Sequence, residues 1–179
     1  YWGEWTDVHE LPGGAFVSEY GAQAVPHLET LRSFLSEEAT ADDWQYHGFQ
    51  HYENRVKAGV TFDLPIEEVI EKTQAYQALI IQNSTETYRR KKRERVQGVI
   101  HFMLVDPWPC ISWSVLDINR VPKLGYEVLT RAMQPILPSI EAETNSYSPS
   151  DTVVFGIWWI NDHPRAFRGV ELGWTLLAH

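Results

Sequence analysis

The sequence predicts an α/β chain: a piece of a (β/α)8 barrel that runs into the start of a β domain. Three observations predict it. The stretch Ala15-Phe16-Val17-Ser18-Glu19-Tyr20-Gly21 alternates like a strand and is followed by helical periodicity. A long amphipathic pattern from Asp63 toward Tyr88 then leads into a second, almost wholly apolar run, Val99-Ile100-His101-Phe102-Met103-Leu104-Val105. Both runs end in side chains suited to chemistry, Glu19 in the first and Asp106 with Trp108 in the second. In a (β/α)8 barrel the active site is built at that end of the strands. Two such units cannot close a barrel, so the chain is read as part of one.

Taken in order, residues 1–14 carry Trp2, Trp5, His9 and Pro12-Gly13-Gly14 without a sustained period, and read as an aromatic-rich loop. Glu19 arrives where the first strand should end, and Gly21 permits a sharp turn after it. Pro26 to Leu35 places Leu28, Leu31, Phe34 and Leu35 on one helical face. From Ser36 to Gly59 the pattern breaks up, while Trp44, Tyr46, His47, Phe49, His51 and Tyr52 crowd together. Long aromatic loops of this kind are usually functional. His47 and His51 could share a helical face, but no third ligand accompanies them, so hydrogen bonding or packing is expected of both, and no metal.

Asp63 and Pro65 start the long helix, and Ile66, Val69, Ile70, Thr73, Tyr76, Gln77 and Ile80 continue it at spacings of three and four. Its expected length is roughly thirty residues, with Gly98 as its stop. Asn83-Ser84-Thr85 matches a glycosylation acceptor but falls inside that helix and is discounted. The basic run Arg89-Arg90-Lys91-Lys92-Arg93-Glu94-Arg95 is expected to complement the helix dipole in solvent. The apolar run 99–105 suits a strand buried on both faces. After a loop holding Trp113, Asp117 and Pro122, the residues Tyr126, Leu129, Ala132 and Met133 give a short helix that ends before Pro135. Pro135 and Pro138 mark a boundary, which divides the chain into 1–138 and 139–179. Beyond it, Thr152 to Ile160 and Val170 to Leu177 read as strands of an incomplete β domain.

Composition narrows the function. The chain has 179 residues, 44% of them hydrophobic, enough for a large core. Its eight Trp residues suit sugar rings as well as core packing. A formal net charge of -9 speaks against a nucleic-acid surface. The single cysteine, Cys110, excludes a disulfide within the chain. No apolar run reaches membrane-spanning length, no signal peptide is expected within these residues, and the first residue is Tyr1 and not Met. The chain is therefore expected to begin inside a longer one.

Several stretches together resemble the C-terminal part of the catalytic domain of family 2 glycoside hydrolases, most closely the β-mannosidase-like branch. They are Phe16 to Gln23, Tyr76-Gln77-Ala78 with Tyr88-Arg89-Arg90, Asp106 to Ser114, and Pro122-Lys123. Trp158-Trp159-Ile160-Asn161-Asp162 resembles the first strands of the immunoglobulin-like β-sandwich that follows the barrel in that family. The resemblance implies a retaining exo-acting β-glycosidase without a cofactor, acting on a carbohydrate substrate, with Glu19 as the nucleophile. It makes Trp108 a platform beneath the sugar, Asp106 a group that hydrogen-bonds a hydroxyl or orients its neighbours, and Trp44 and His47 parts of the rim. The family's acid/base Glu normally follows an Asn, and the chain contains no Asn-Glu dipeptide. That partner is expected in the missing remainder of the barrel. The usual Asn before the Asp106 position is Val105 here, which leaves sugar preference open among β-mannosidase, β-galactosidase, β-glucuronidase and exo-glucosaminidase. A noncatalytic carbohydrate-binding relic is the alternative from another class.

Overall fold

The structure, a computed structural model, describes residues 15–61, 63–92, 94–141, 148, 150 and 152–175. The aromatic-rich opening loop with Trp2, Trp5 and His9 lies outside the described residues. The elements are β1 (Phe16–Tyr20), α1 (Leu28–Arg32), α2 (Ala41–Tyr46), α3 (His51–Lys57), α4 (Ile66–Arg90), β2 (Gly98–His101), α5 (Leu124–Ala132), β3 (Ile136–Glu141) and β4 (Gly156–Asn161).

β1 and β2 pair in parallel, with Phe16 opposite Gly98, Val17 opposite Val99 and Tyr20 opposite His101. This is the parallel arrangement expected of two strands joined through a long helix. Tyr20 ties the pair to α4. Its ring is fully buried edge-on to Tyr88, with centroids 5.5 Å apart, and its hydroxyl shares a 2.7 Å hydrogen bond with Thr85. Burial pushes the Tyr20 phenol up to about 12, against the lowering effects of Thr85 and Arg89. Further toward its N-terminus, the same face of α4 packs on α5 through Ala78, Ile81 and Val128. A Cβ on Gly125 would lie 2.5 Å from Gln77 Oε1, so only glycine allows that close approach of the helices. A second cluster, around Val25, Leu31, Leu35, Phe49, Val69 and Ile111, fills the space under α1 to α3.

Several local expectations need correction. The region 36–59 holds two short helices, α2 and α3, instead of a loop. Thr40 and Asp43 form a reciprocal capping box at the start of α2, which supplies its unpaired amides. α1 is shorter than expected, though Leu31 and Leu35 are buried as the spacing required. β2 ends at His101 because β1 offers no ladder beyond Tyr20. Residues 103–106 pair instead with 113–116: Val115 N donates to Met103 O (3.1 Å) and Leu116 N to Leu104 O (2.9 Å). Nor is the apolar run buried on both faces, since Ile100 is 52% and Leu104 61% exposed. The helices cover one side of this two-stranded pair, and nothing among the described residues covers the other to the same extent.

The basic run departs most from expectation. α4 ends at Arg90, and its last residues turn inward instead of into solvent. Arg89 is buried and donates to Gln134 O (2.7 Å), Ala132 O and Asp162 Oδ2 (2.7 Å). Arg90 donates to Ser139 Oγ (2.6 Å), which in turn donates to Glu86 Oε2 (2.5 Å). Lys92 pairs with Asp162 and donates to Asn161 O (2.8 Å). Partial burial disfavours the Asp162 carboxylate, but the bonds from Lys92 and Arg89 outweigh it and hold the group below its usual range. These cations clamp α4 to the antiparallel pair β3–β4.

β3 itself was not foreseen. It runs through Pro138, opposite Trp159, so the expected boundary position falls inside a strand. Proline is tolerated there because, among the described residues, β3 has a single neighbour in its sheet. Residues 170–175 form no strand, and Leu176 and Leu177 lie outside the described residues.

A pH response follows from the β1–β2 pair. His101 sits against Tyr20, with ring centroids 5.4 Å apart, and burial lowers its imidazole to about 4. A depressed folded-state value means that the stability contribution is complete above about 6.5, the unfolded value, and is lost as pH falls from there toward about 4. The expected result is a progressive drop in denaturation midpoint across that window, absent in His101→Phe. An identical pH dependence in the variant would show that His101 is not the group responsible.

Candidate functional site

The site is built at the C-terminal ends of β1 and β2. Pairing between these strands shifts register between Val17 and Tyr20, and such irregularities re-aim side chains. Val17 and Tyr20 both pack toward Tyr88 as a result, leaving Ser18 and Glu19 exposed. Glu19 thus stands next to the last residue of β1, its neighbour Tyr20 anchored in the helix layer. Gly21 follows at φ 157°, and a Cβ there would lie 2.5 Å from Phe102 O. The two strand ends approach so closely that a side chain at position 21 has no room.

Immediately beyond Glu19, the segment 22–25 is held on nearly every polar group. Gln77 Nε2 donates to Ala22 O (3.0 Å), Val25 N donates to Thr73 Oγ1 (3.1 Å), and Gln74 Nε2 donates to Val25 O (3.0 Å). Gln23 is buried and bridges three segments. Its Nε2 donates to Gly48 O (2.7 Å) and Ile111 O (2.9 Å), while its Oε1 accepts from Gln50 N (2.9 Å) and Asn54 Nδ2 (2.8 Å). A small hollow of about 20 Å³ opens beside Gly21, between Tyr76, Trp113 and the Glu53 and Lys57 side chains of α3.

Trp108 lies in the loop after β2 and is 40% exposed. His47, at the end of α2, stacks on it with centroids 5.5 Å apart and planes 23° from parallel. His47 Nδ1 is 2.7 Å from Pro109 O, and His47 O accepts from Ile111 N (2.7 Å). The structure therefore brings His47 and Trp108 together, with Tyr46 edge-on to the same indole at 5.7 Å. Trp44 is placed differently. Its ring meets Phe49 edge-on at 5.0 Å and packs on the apolar cluster under α1 to α3.

Asp106 is 2% exposed and is one centre of a buried polar network, so orienting its neighbours is the role its position allows. Asp106 Oδ1 accepts from Ser112 Oγ and Ser114 Oγ, both at 2.5 Å. Lys123 Nζ lies 3.5 Å from Asp106 Oδ2 and donates to Ala24 O and Ser114 Oγ, each at 3.0 Å. Burial pulls the Lys123 ammonium down and the Asp106 charge opposes it. Cys110, close to Asp106 Oδ1 at 3.9 Å, has its thiol pushed up to about 11 by burial and by that charge. Sequence reasoning assigned no role to Lys123, Ser112, Ser114 or Gln23. Nothing in the residues around Lys123 gives a local sign that it is buried.

No family model matches the chain. Among curated proteins, it is 27% identical over 182 residues to β-mannosidase B of Aspergillus fumigatus, and 26% identical over 182 residues to β-mannosidase B of Aspergillus niger. Each alignment covers 92% of this chain and 22% of the relative, so the chain spans about a fifth of their length. Among solved structures, it matches the β-D-mannosidase of Dictyoglomus thermophilum with a TM-score of 0.67 at 21% identity, over 88% of this chain and 24% of that one. The exo-chitosanase of Amycolatopsis orientalis matches with a TM-score of 0.63 at 19% identity, over 77% of this chain and 19% of that one. The likeness read in the sequence to the β-mannosidase-like branch of family 2 glycoside hydrolases is thereby borne out, and the chain is a homologue of the β-mannosidases over nearly all of its own length.

Proposed function

We propose that this chain is part of a retaining, exo-acting β-glycosidase of β-mannosidase type, with Glu19 as its nucleophile. The observation that carries the reading is the placement of Glu19. It is an exposed carboxylate beside the last residue of a strand whose next residue is anchored and whose parallel neighbour leads to the Trp108–His47 stack. In this reaction the Glu19 carboxylate attacks the anomeric carbon, the glycosidic C–O bond breaks, and the departing oxygen takes a proton from a second carboxylic acid. Water then attacks the glycosyl-enzyme ester with that second group acting as base, which regenerates Glu19. Retention requires the two carboxyl groups to stand roughly 5 to 5.5 Å apart. The second carboxylate comes from the remainder of the barrel.

The exposed indole of Trp108 supplies an apolar plane for a sugar ring, and its edge contact with Tyr46 and stacking with His47 keep that plane fixed. Within the same reading, β1 to α5 form the C-terminal portion of a (β/α)8 barrel, and β3–β4 open an immunoglobulin-like β-sandwich. The division lies between α5 and β3, bridged by Arg89, Arg90 and Lys92 at the end of α4. The uncovered side of β1–β2, with Phe16 and Ile100 exposed, supports packing against further barrel strands.

The test is covalent trapping of the full-length protein with 2-fluoro glycosides of mannose, galactose and glucuronic acid and the 5-fluoro glycoside of glucosamine, followed by mass spectrometry of the labelled peptide. The expected result is inactivation by the manno compound and a label on Glu19. A label on another carboxylate removes the assignment, and hydrolysis without any label points to inversion. Faster inactivation by a different sugar corrects the specificity and leaves the nucleophile in place.

A further inference from the structure

We infer that Lys123 is a positioning residue, whose buried ammonium ties the backbone just beyond Glu19 to the loop that carries Trp108. The consequence for turnover rests on the glycosidase reading above, while the tie itself does not. Lys123 is 1% exposed, and its ammonium donates two hydrogen bonds and makes one ion pair, to groups from two separate segments. One is Ala24 O, in the segment that continues β1 past Glu19; the others are Ser114 Oγ and Asp106 Oδ2, at 3.0 Å and 3.5 Å.

The acceptors on the second side form a closed order. Ser114 Oγ receives from Lys123 and donates to Asp106 Oδ1, while Ser112 Oγ receives from Ser114 N (3.0 Å) and donates to the same oxygen. Asp106 and Ser112 bracket the turn that carries Trp108 and Pro109. Its tip is fixed from outside by His47 on Pro109 O, and its base from inside by this network. Ala24 N donates to Ser112 O (3.0 Å), so the two segments also meet directly, and the ammonium closes the same junction from the other side.

A buried ion pair is weak evidence for stability, since replacing both charges by neutral groups is often nearly neutral. What a hydrophobic pair cannot reproduce is the direction of the two hydrogen bonds to Ala24 O and Ser114 Oγ. Shifts on the order of 1 Å between groups that grip a substrate can cost about a hundredfold in rate. The spacing of Trp108 from Glu19 is therefore the property that depends on Lys123.

The experiment compares two variants of the full-length protein. Lys123→Met alone strands a buried carboxylate and should lower the thermal midpoint strongly; adding Asp106→Asn removes that charge and should recover most of the midpoint. In the double variant, hydrogen exchange should rise about tenfold in peptides covering 22–25 and 106–116 and stay unchanged across 66–90. KM for an aryl β-mannoside should rise roughly tenfold, with kcat reduced less and the pH profile unmoved. Exchange and KM that return to parental values along with the midpoint would overturn the proposal, since that is how a merely structural lysine behaves. So would exchange that rises equally in α4. The same exchange pattern in a parent that hydrolyses no β-glycoside supports the tie and defeats the glycosidase reading instead.

Discussion

Replacing Glu19 by Gln is expected to leave the full-length protein folded and to abolish turnover. The side chain is exposed, and the amide is nearly isosteric with the carboxylate, so stability should stay within about 0.5 kcal/mol. A neutral amide cannot supply the electron pair that attacks the anomeric carbon. Loss of a nucleophile in an otherwise intact site costs on the order of 10³-fold or more in kcat. The two halves of the result are measured separately, by thermal unfolding and by hydrolysis of an aryl β-mannoside. A variant that loses several degrees of thermal midpoint and keeps turnover within a few fold would make Glu19 a structural residue and remove it from the chemistry.

The second large effect is expected at Gly21. An added methyl would sit 2.5 Å from the Phe102 carbonyl oxygen and 3.3 Å from His101 Nε2. The nearer atom belongs to backbone that is itself held, because Phe102 N donates to Tyr20 O at 3.0 Å. Neither strand end can yield without pulling on the other. Gly21→Ala should therefore cost about 2 to 3 kcal/mol and also lower turnover, because relief of the clash displaces Glu19. Gly173→Ala is the matched control, since nothing lies within 4 Å of a Cβ there, and its effect should stay within about 0.5 kcal/mol. The measurement is the denaturation midpoint of each variant with kcat beside it. Equal midpoints for the two variants would mean that the strand ends separate freely.

Both expectations rest on residues that the sequence already singled out. Glu19 and Gly21 are legible because a strand end, a carboxylate and a glycine are adjacent in the chain. α4 is legible because its apolar side chains recur at spacings of three and four, and this periodicity is written within a few residues of every position. Trp108 and His47 were both named as contacts for a sugar, although their stacking was not foreseen.

Short helices are harder to read. α2 and α3 have six and seven residues, too few to be stable by themselves, and hold their shape through tertiary contacts such as Trp44 on Phe49 and Asn54 on Gln23. β3 was hidden by Pro138, whose meaning in a strand depends on whether a second neighbour exists.

By itself the sequence determined the strand, helix and strand order, the parallel pairing that such an order demands, and the carboxylate at the end of the first strand. Each depends on local periodicity, on chain connectivity, or on residues next to one another. The tertiary structure alone decided which polar side chains turn inward. Arg89 reads as a solvated cation until Asp162 arrives from 73 positions away, and Lys123 reads as a surface lysine until Ala24 O is placed beside it from 99 positions away. A buried charge is tolerated only where opposite charge and hydrogen-bond acceptors converge. That convergence is a property of the folded chain, and no short stretch of sequence records it.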